Sequence, residues 1–136
     1  MNQRRAFLKK ITAGIAITSL LPFSKKTSAA EIKLSGGLMH HVFFWLKEPK
    51  NEKARAQFEK GLEQLLKIET IQLSHIGVPA STESRDVVDN SYSYSYMVMF
   101  KDQEAHDIYQ EHPLHLKFIE QNSMLWEKVI VYDTLG

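Results

Sequence analysis

The stretch Leu38-Met-His-His-Val-Phe-Phe-Trp-Leu-Lys47 decides the fold. Read as a strand, it puts His40, Val42, Phe44 and Leu46 on one face and Met39, His41, Phe43 and Trp45 on the other, because successive side chains of a strand point to opposite sides. Both faces are largely apolar. A strand apolar on both sides has to be covered on both. In a small domain its own helices can cover one side. The other side calls for a second copy of the chain, so a homodimer through the helix-free sheet face is expected.

Upstream, residues 1–30 are expected to be a twin-arginine-type signal peptide, followed by a short extension over residues 31–37. Arg4-Arg5-Ala6-Phe7-Leu8-Lys9 has the twin-arginine form, with Gln3 where Ser or Thr is usual, and the apolar run at residues 11–21 follows. That run is too short to span a bilayer as a stable helix. Ser28-Ala29-Ala30 suits signal peptidase, so cleavage is expected after Ala30. An uncleaved N-terminal anchor is the alternative. There is no cysteine to acylate, which excludes a lipoprotein. The expected location is periplasmic or otherwise extracytoplasmic, with membrane contact only during export.

Removing that segment reverses the charge. Residues 1–30 hold six of the seventeen Lys and Arg and none of the sixteen Asp and Glu, which leaves a formal −5 on residues 31–136. Nothing then supports nucleic-acid binding, whose minimal footprint is a basic stripe.

Downstream of the first strand, Pro49 ends the extended run and Asn51 can cap a helix to about residue 67. Its buried stripe is Ala54, Phe58, Leu62, Leu65 and Leu66, with Gly61 allowing a close approach to the sheet. A second, irregular strand is expected over residues 68–78 and a long polar loop over 79–91. A third strand over 92–100 sets Tyr92, Tyr94, Tyr96, Val98 and Phe100 against Ser93, Ser95, Met97 and Met99. Asp102 caps a short helix with Ala105, Ile108 and Tyr109 inward. The chain breaks at His112-Pro113, because proline disfavours helical geometry in the residue before it. A second helical piece runs to about residue 122, and a strand over 126–134 closes the domain. The order β-α-β-β-α-β over residues 38–136 predicts an α+β, ferredoxin-like antiparallel sheet with helices on one face. Dimerisation through the bare face would give an α/β barrel.

The chemistry concentrates in Tyr109-Gln-Glu-His112-Pro113-Leu-His115-Leu-Lys-Phe118. His115, Phe118, Ile119 and Asn122 share one helical face, so the His115 ring is expected inside. A buried imidazole has to be hydrogen-bonded. Either His115 ties a backbone carbonyl at the helix break, or it is the working base of a pocket, with Tyr109 steadying a substrate oxygen. His40 either meets it across a small cavity or sits half in water at a strand end. His112 reads as a capping residue; His75 and His106 read as exposed and without a role. A metal held by His112, His115 and His40 would need rings that Pro113 sets on different local axes, so no metal and no organic cofactor are expected. No nucleophile triad, phosphate loop, dinucleotide fingerprint or paired glycosidase carboxylates appear.

These residues resemble the stress-responsive A/B barrel (Dabb) family of dimeric α+β barrels over about residues 38–134. The marks are His40 with Val42 to Lys47, the strand Tyr94 to Phe100, the Tyr109 to Phe118 block, and Val129 to Asp133. In a plant polyketide-cyclase branch, the resemblance implies His115 as base, Tyr109 holding a carbonyl and His40 lining the cavity, without metal or cofactor. Tyr94 stands where that branch has a further cavity histidine, which implies a substrate-binding position with a different substrate. Two functions follow: a module binding a small apolar or aromatic molecule, or a cofactor-independent cyclase, lyase or isomerase. Cofactorless oxygenase chemistry is suggested only by analogy with similarly folded barrels.

Overall fold

The computed structural model describes residues 36–136. The expected signal segment, residues 1–30, lies outside the described residues. Strand β1 (Leu38–Leu46) is followed by helix α1 (Glu52–Leu65), strands β2 (Ile71–Gly77) and β3 (Tyr94–Phe100), helices α2 (Gln103–Glu111) and α3 (Pro113–Asn122), a 3-10 turn (Ser123–Leu125) and strand β4 (Trp126–Leu135). The sheet order is β2-β3-β1-β4, and every neighbouring pair is antiparallel. The α+β, ferredoxin-like architecture expected from the element order is therefore present.

The alternation of β1 sets the two layers. Leu38, His40, Val42, Phe44 and Leu46 are buried, while Met39, His41, Phe43 and Trp45 are half-buried. The buried face meets α1 and α3. Asn51 caps α1 by accepting the N–H groups of Lys53 and Ala54, which satisfies donors a helix start leaves open. Phe58 has no exposed surface. Its ring meets Phe44 edge-on at 5.0 Å and lies 5.8 Å from Phe118. Full burial of such a side chain stabilises by about 1.5–3 kcal/mol.

Several details differ from the sequence reading. Leu66 is 37% exposed at the margin of the α1 stripe, and Ile68, just past the helix end, fills the core there instead. Gly61 serves a helix rather than the sheet: a Cβ at that position would lie 3.0 Å from the Phe118 ring and 2.8 Å from the Asn122 amide, both on α3. On α2 the inward stripe is Ala105, His106, Tyr109 and Gln110, while Ile108 turns out to water. Ile119 is likewise exposed. Strand β2 starts three residues later than expected, with a register irregularity between Ile71 and Leu73.

No described element covers the opposite sheet face. Its aromatic side chains pack on one another instead. Phe43 lies 4.3 Å from the His41 ring and 4.9 Å from the Tyr92 ring, and Lys128 sits 4.3 Å over Trp45. Ser95 accepts or donates at 2.8 Å to Nε2 of His41.

Candidate functional site

The site grows out of the helix break. His112 is extended (φ −65°, ψ 137°), as the residue before a proline prefers. It ends α2 and caps α3, its Nδ1 accepting the N–H of Leu114 at 3.1 Å. In a continuous helix that N–H would pair with the carbonyl of Gln110. The break leaves the carbonyl open, and Nδ1–H of His115 donates to it at 3.0 Å. A carbonyl only accepts, so the ring proton sits on Nδ1 and Nε2 keeps its lone pair. His115 thus ties the break, and the same ring also lines a cavity.

The cavity has a volume of about 200 Å³ and lies between the sheet and helices α2 and α3. Val42, Phe44, Leu65, Phe118 and Trp126 form apolar walls, and His40, Tyr96, Tyr109 and His115 bring polar atoms. Ile119, Val129 and Val131 also line it, and each is 40% or more exposed, so the cavity opens at the edge strand β4. The His115 and Tyr109 rings are 4.8 Å apart, and His40 and Tyr109 are 5.9 Å apart. The Tyr109 hydroxyl donates to that of Tyr96 at 3.2 Å. Two phenols hold two protons and use one on each other, so one O–H stays available to a ligand oxygen. Burial pushes the Tyr109 phenol up to about 12 and raises Tyr96 as well, so both stay neutral donors.

Burial also holds His115 below its ordinary value, with the Gln110 carbonyl pulling the other way. A neutral imidazole with a bare Nε2 beside a neutral phenol can accept a proton from a bound molecule while an O–H steadies the oxygen on which charge develops.

His40 is 4% exposed, and its Nδ1–H donates to the Asp133 carboxylate at 2.6 Å. The two are cross-strand partners of β1 and β4. Burial lowers the His40 pKa more than Asp133 raises it, so the contact is a hydrogen bond from a neutral ring. His106 lies close by, its ring tilted at 5.2 Å from that of His40 and edge-on at 5.4 Å to Phe100. One donor atom each from His40, His106 and Asp133 lie within 4.8 Å of one another.

The structure brings His40, Tyr109 and His115 together and leaves Tyr94 apart. Tyr94 is buried beneath α1, its hydroxyl donating to Glu59 and its ring covered by Arg55 at 4.8 Å; it does not line the cavity. Tyr96, two residues along the same strand face, does. Sequence reasoning missed Tyr96 and His106. For His106 a signal existed: Asp102, Ala105, His106 and Tyr109 fall at helical spacing. His112 is committed to its cap and faces Glu69 at 3.4 Å, so it does not join His115 around a common point. A larger open groove of about 620 Å³ runs between α1 and α3, lined by residues such as Gln57, Lys60, Gln64 and Gln121. It contains none of the histidines or tyrosines, so the smaller cavity is where acid–base chemistry can occur.

The family model for the stress-responsive A/B barrel domain matches residues 38–135, so the chain belongs to that family. No curated protein matches the sequence. Among solved structures, a Dabb-family protein of Mesorhizobium loti with a ferredoxin-like fold is 22% identical, with a TM-score of 0.61 over 75% of this chain and 98% of that one. A hydroxynitrile lyase from Passiflora edulis is 19% identical, with a TM-score of 0.63 over 74% of this chain and 94% of that one. A dimeric ferredoxin-like protein of Thermobifida fusca is 13% identical, with a TM-score of 0.61 over 76% and 93%. At these identities the likeness is one of fold.

Burial lowers the pKa of His40, His41 and His115 in the folded chain. As pH falls through about 6.5 the unfolded chain takes up more protons than the folded one, so stability is complete above that value and declines below it. Tm measured from pH 8 to pH 5 is expected to hold level and then fall, and His115→Gln should make the fall shallower. A Tm that stays level or rises on acidification would show that these rings titrate as in the unfolded chain.

Proposed function

We propose that this chain is an exported, homodimeric A/B-barrel protein that binds a small, mainly apolar or aromatic molecule in the cavity between sheet and helices. The observation that carries the reading is the cavity itself: apolar walls with His115, Tyr96 and Tyr109 in its lining. Its size, about 200 Å³, is below the roughly 300–1,000 Å³ of drug-sized pockets. A cavity of about 150 Å³ takes benzene, so the occupant is one substituted ring or an aliphatic molecule of similar bulk, with an oxygen for the Tyr96–Tyr109 pair. Trp126 lines the cavity, which makes its fluorescence a direct probe. Single-ring aromatic aldehydes and ketones should quench it saturably. His115→Ala and Tyr96→Phe should each weaken binding roughly tenfold, the loss expected for one hydrogen bond to a ligand, with far-UV circular dichroism unchanged. Absence of quenching across the series, or unaltered affinity in both variants, would remove the binding reading.

A second reading is supported by the His115 tautomer. With Nδ1–H committed to Gln110, Nε2 acts as a general base, and the phenol pair stabilises the oxyanion left when a bound molecule loses a proton. This is the chemistry of a cofactor-independent lyase, cyclase or isomerase, and one protein of similar fold is a hydroxynitrile lyase. His115→Ala would then abolish turnover of a bound ligand.

The dimer reading rests on the uncovered face carrying Met39, His41, Phe43, Trp45, Met97 and Tyr132, and on proteins of this fold described as dimeric. A second copy would bury that face. Trp45→Asp should yield monomer or aggregate by light scattering; an intact dimer would place the interface elsewhere. Export rests on Arg4-Arg5, and the double change to Lys should retain the protein in the cytoplasm. Export unaffected by that change would dismiss the twin-arginine route.

A further inference from the structure

We propose that His40, His106 and Asp133 form a binding site for one divalent transition-metal ion of the zinc type, separate from the His115 nitrogen. The three come from different elements, β1, α2 and β4, and one donor atom of each lies within 4.8 Å of the other two. His40 and Asp133 face each other in strand register, so two of the three donors sit on a rigid base. His106 stands on the first turns of α2, where Asp102 fixes the helix start by accepting the N–H of Ala105 at 2.9 Å.

The charge of the cluster favours a cation. The two imidazoles lie 5.2 Å apart, with the His40 side chain 5% exposed and that of His106 13% exposed. The His106 ring nitrogens now face Asp107 at 3.4 Å and the Gln110 amide at 3.1 Å, and an ion takes the place of one of these partners. Among the described residues no Lys or Arg forms an ion pair with the Asp133 carboxylate; its partner is the His40 ring. A divalent ion supplies the missing positive charge, and where His40 binds it through Nδ1 the ring proton moves to Nε2. Two imidazoles and one carboxylate make a donor set suited to zinc, cobalt, nickel or ferrous iron rather than to magnesium or calcium, which prefer oxygen. Tetrahedral coordination at about 2.0–2.1 Å brings donors to roughly 3.3 Å from one another, so modest side-chain rotation closes the set. Asp133 keeps 45% of its side chain exposed, which gives the ion a path in and leaves a fourth position for water.

The test uses the untagged protein stripped with chelator. Zn²⁺ is titrated in by calorimetry and Co²⁺ is followed by its visible absorption. One ion should bind per chain at micromolar concentrations and raise Tm. His106→Ala and Asp133→Asn should each weaken binding by roughly tenfold or more, in line with the effect of disturbing a metal's ligand sphere. His115→Ala should bind metal as the unaltered protein does, which separates this site from the proposed ligand pocket. His106 is partly exposed on a helix, so His106→Gln gives a folded control if Asp133→Asn does not fold. Absence of saturable one-to-one binding, or binding unchanged by both His106 variants, overturns the proposal. So does binding lost in His115→Ala but kept in His106→Ala, which would place the ion elsewhere.

Discussion

Pro113 has no N–H, and the residue before it cannot comfortably be helical. The consequences run through the whole site. The second helical segment splits into α2 and α3, His112 turns to cap the new helix, and the carbonyl of Gln110 loses its helical partner. His115 takes that carbonyl with Nδ1–H. A ring that would otherwise be an expensive polar group at the edge of an apolar core is thereby oriented, fixed in one tautomer and left with a basic nitrogen. Burial reinforces the effect, since a desolvated imidazole stays neutral. One ring nitrogen ties the helix break, and the ring it holds lines the cavity.

The sheet supplies the opposite wall. Because β1 is central, between β3 and β4, its inward side chains set both the core and the floor of the cavity. Phe44 packs into the Phe58, Phe118 and Trp126 cluster, while Val42 and His40 face the open space beneath α2. On the far side of the core, Gly61 lets Phe118 and Asn122 of α3 come close to α1. The reverse face of the same strand has no covering element, and its aromatic side chains are left to one another.

Much of this was legible in the sequence, for definite reasons. The period-two alternation at residues 38–47 and 92–100, the Asn51 and Asp102 caps, and the His112-Pro113 break are local signals with local causes, and each determined an element. The inward placement of His115 followed from helical spacing. What failed depended on tertiary geometry. Tyr94 and Tyr96 share a strand face and look equivalent in the chain, but α1 covers one, and the space under α2 and α3 opens over the other. In the sequence, Ala105, Ile108 and Tyr109 read as inward and His106 as outside; in the structure Ile108 is exposed and His106 is half-buried against His40 and Phe100. The Asp133 pairing with His40 depends on cross-strand register, which no pattern within either strand discloses.

The most direct measurement is the tautomer of the 115 ring in the folded protein, read from long-range ¹⁵N–¹H correlations of its imidazole at pH 7.5. A proton on Nδ1 with a bare Nε2 is the predicted result, and it should be lost when Pro113→Ala restores a continuous helix. A proton on Nε2, or rapid exchange between the two nitrogens, would contradict the link between the helix break and the basic nitrogen in the cavity.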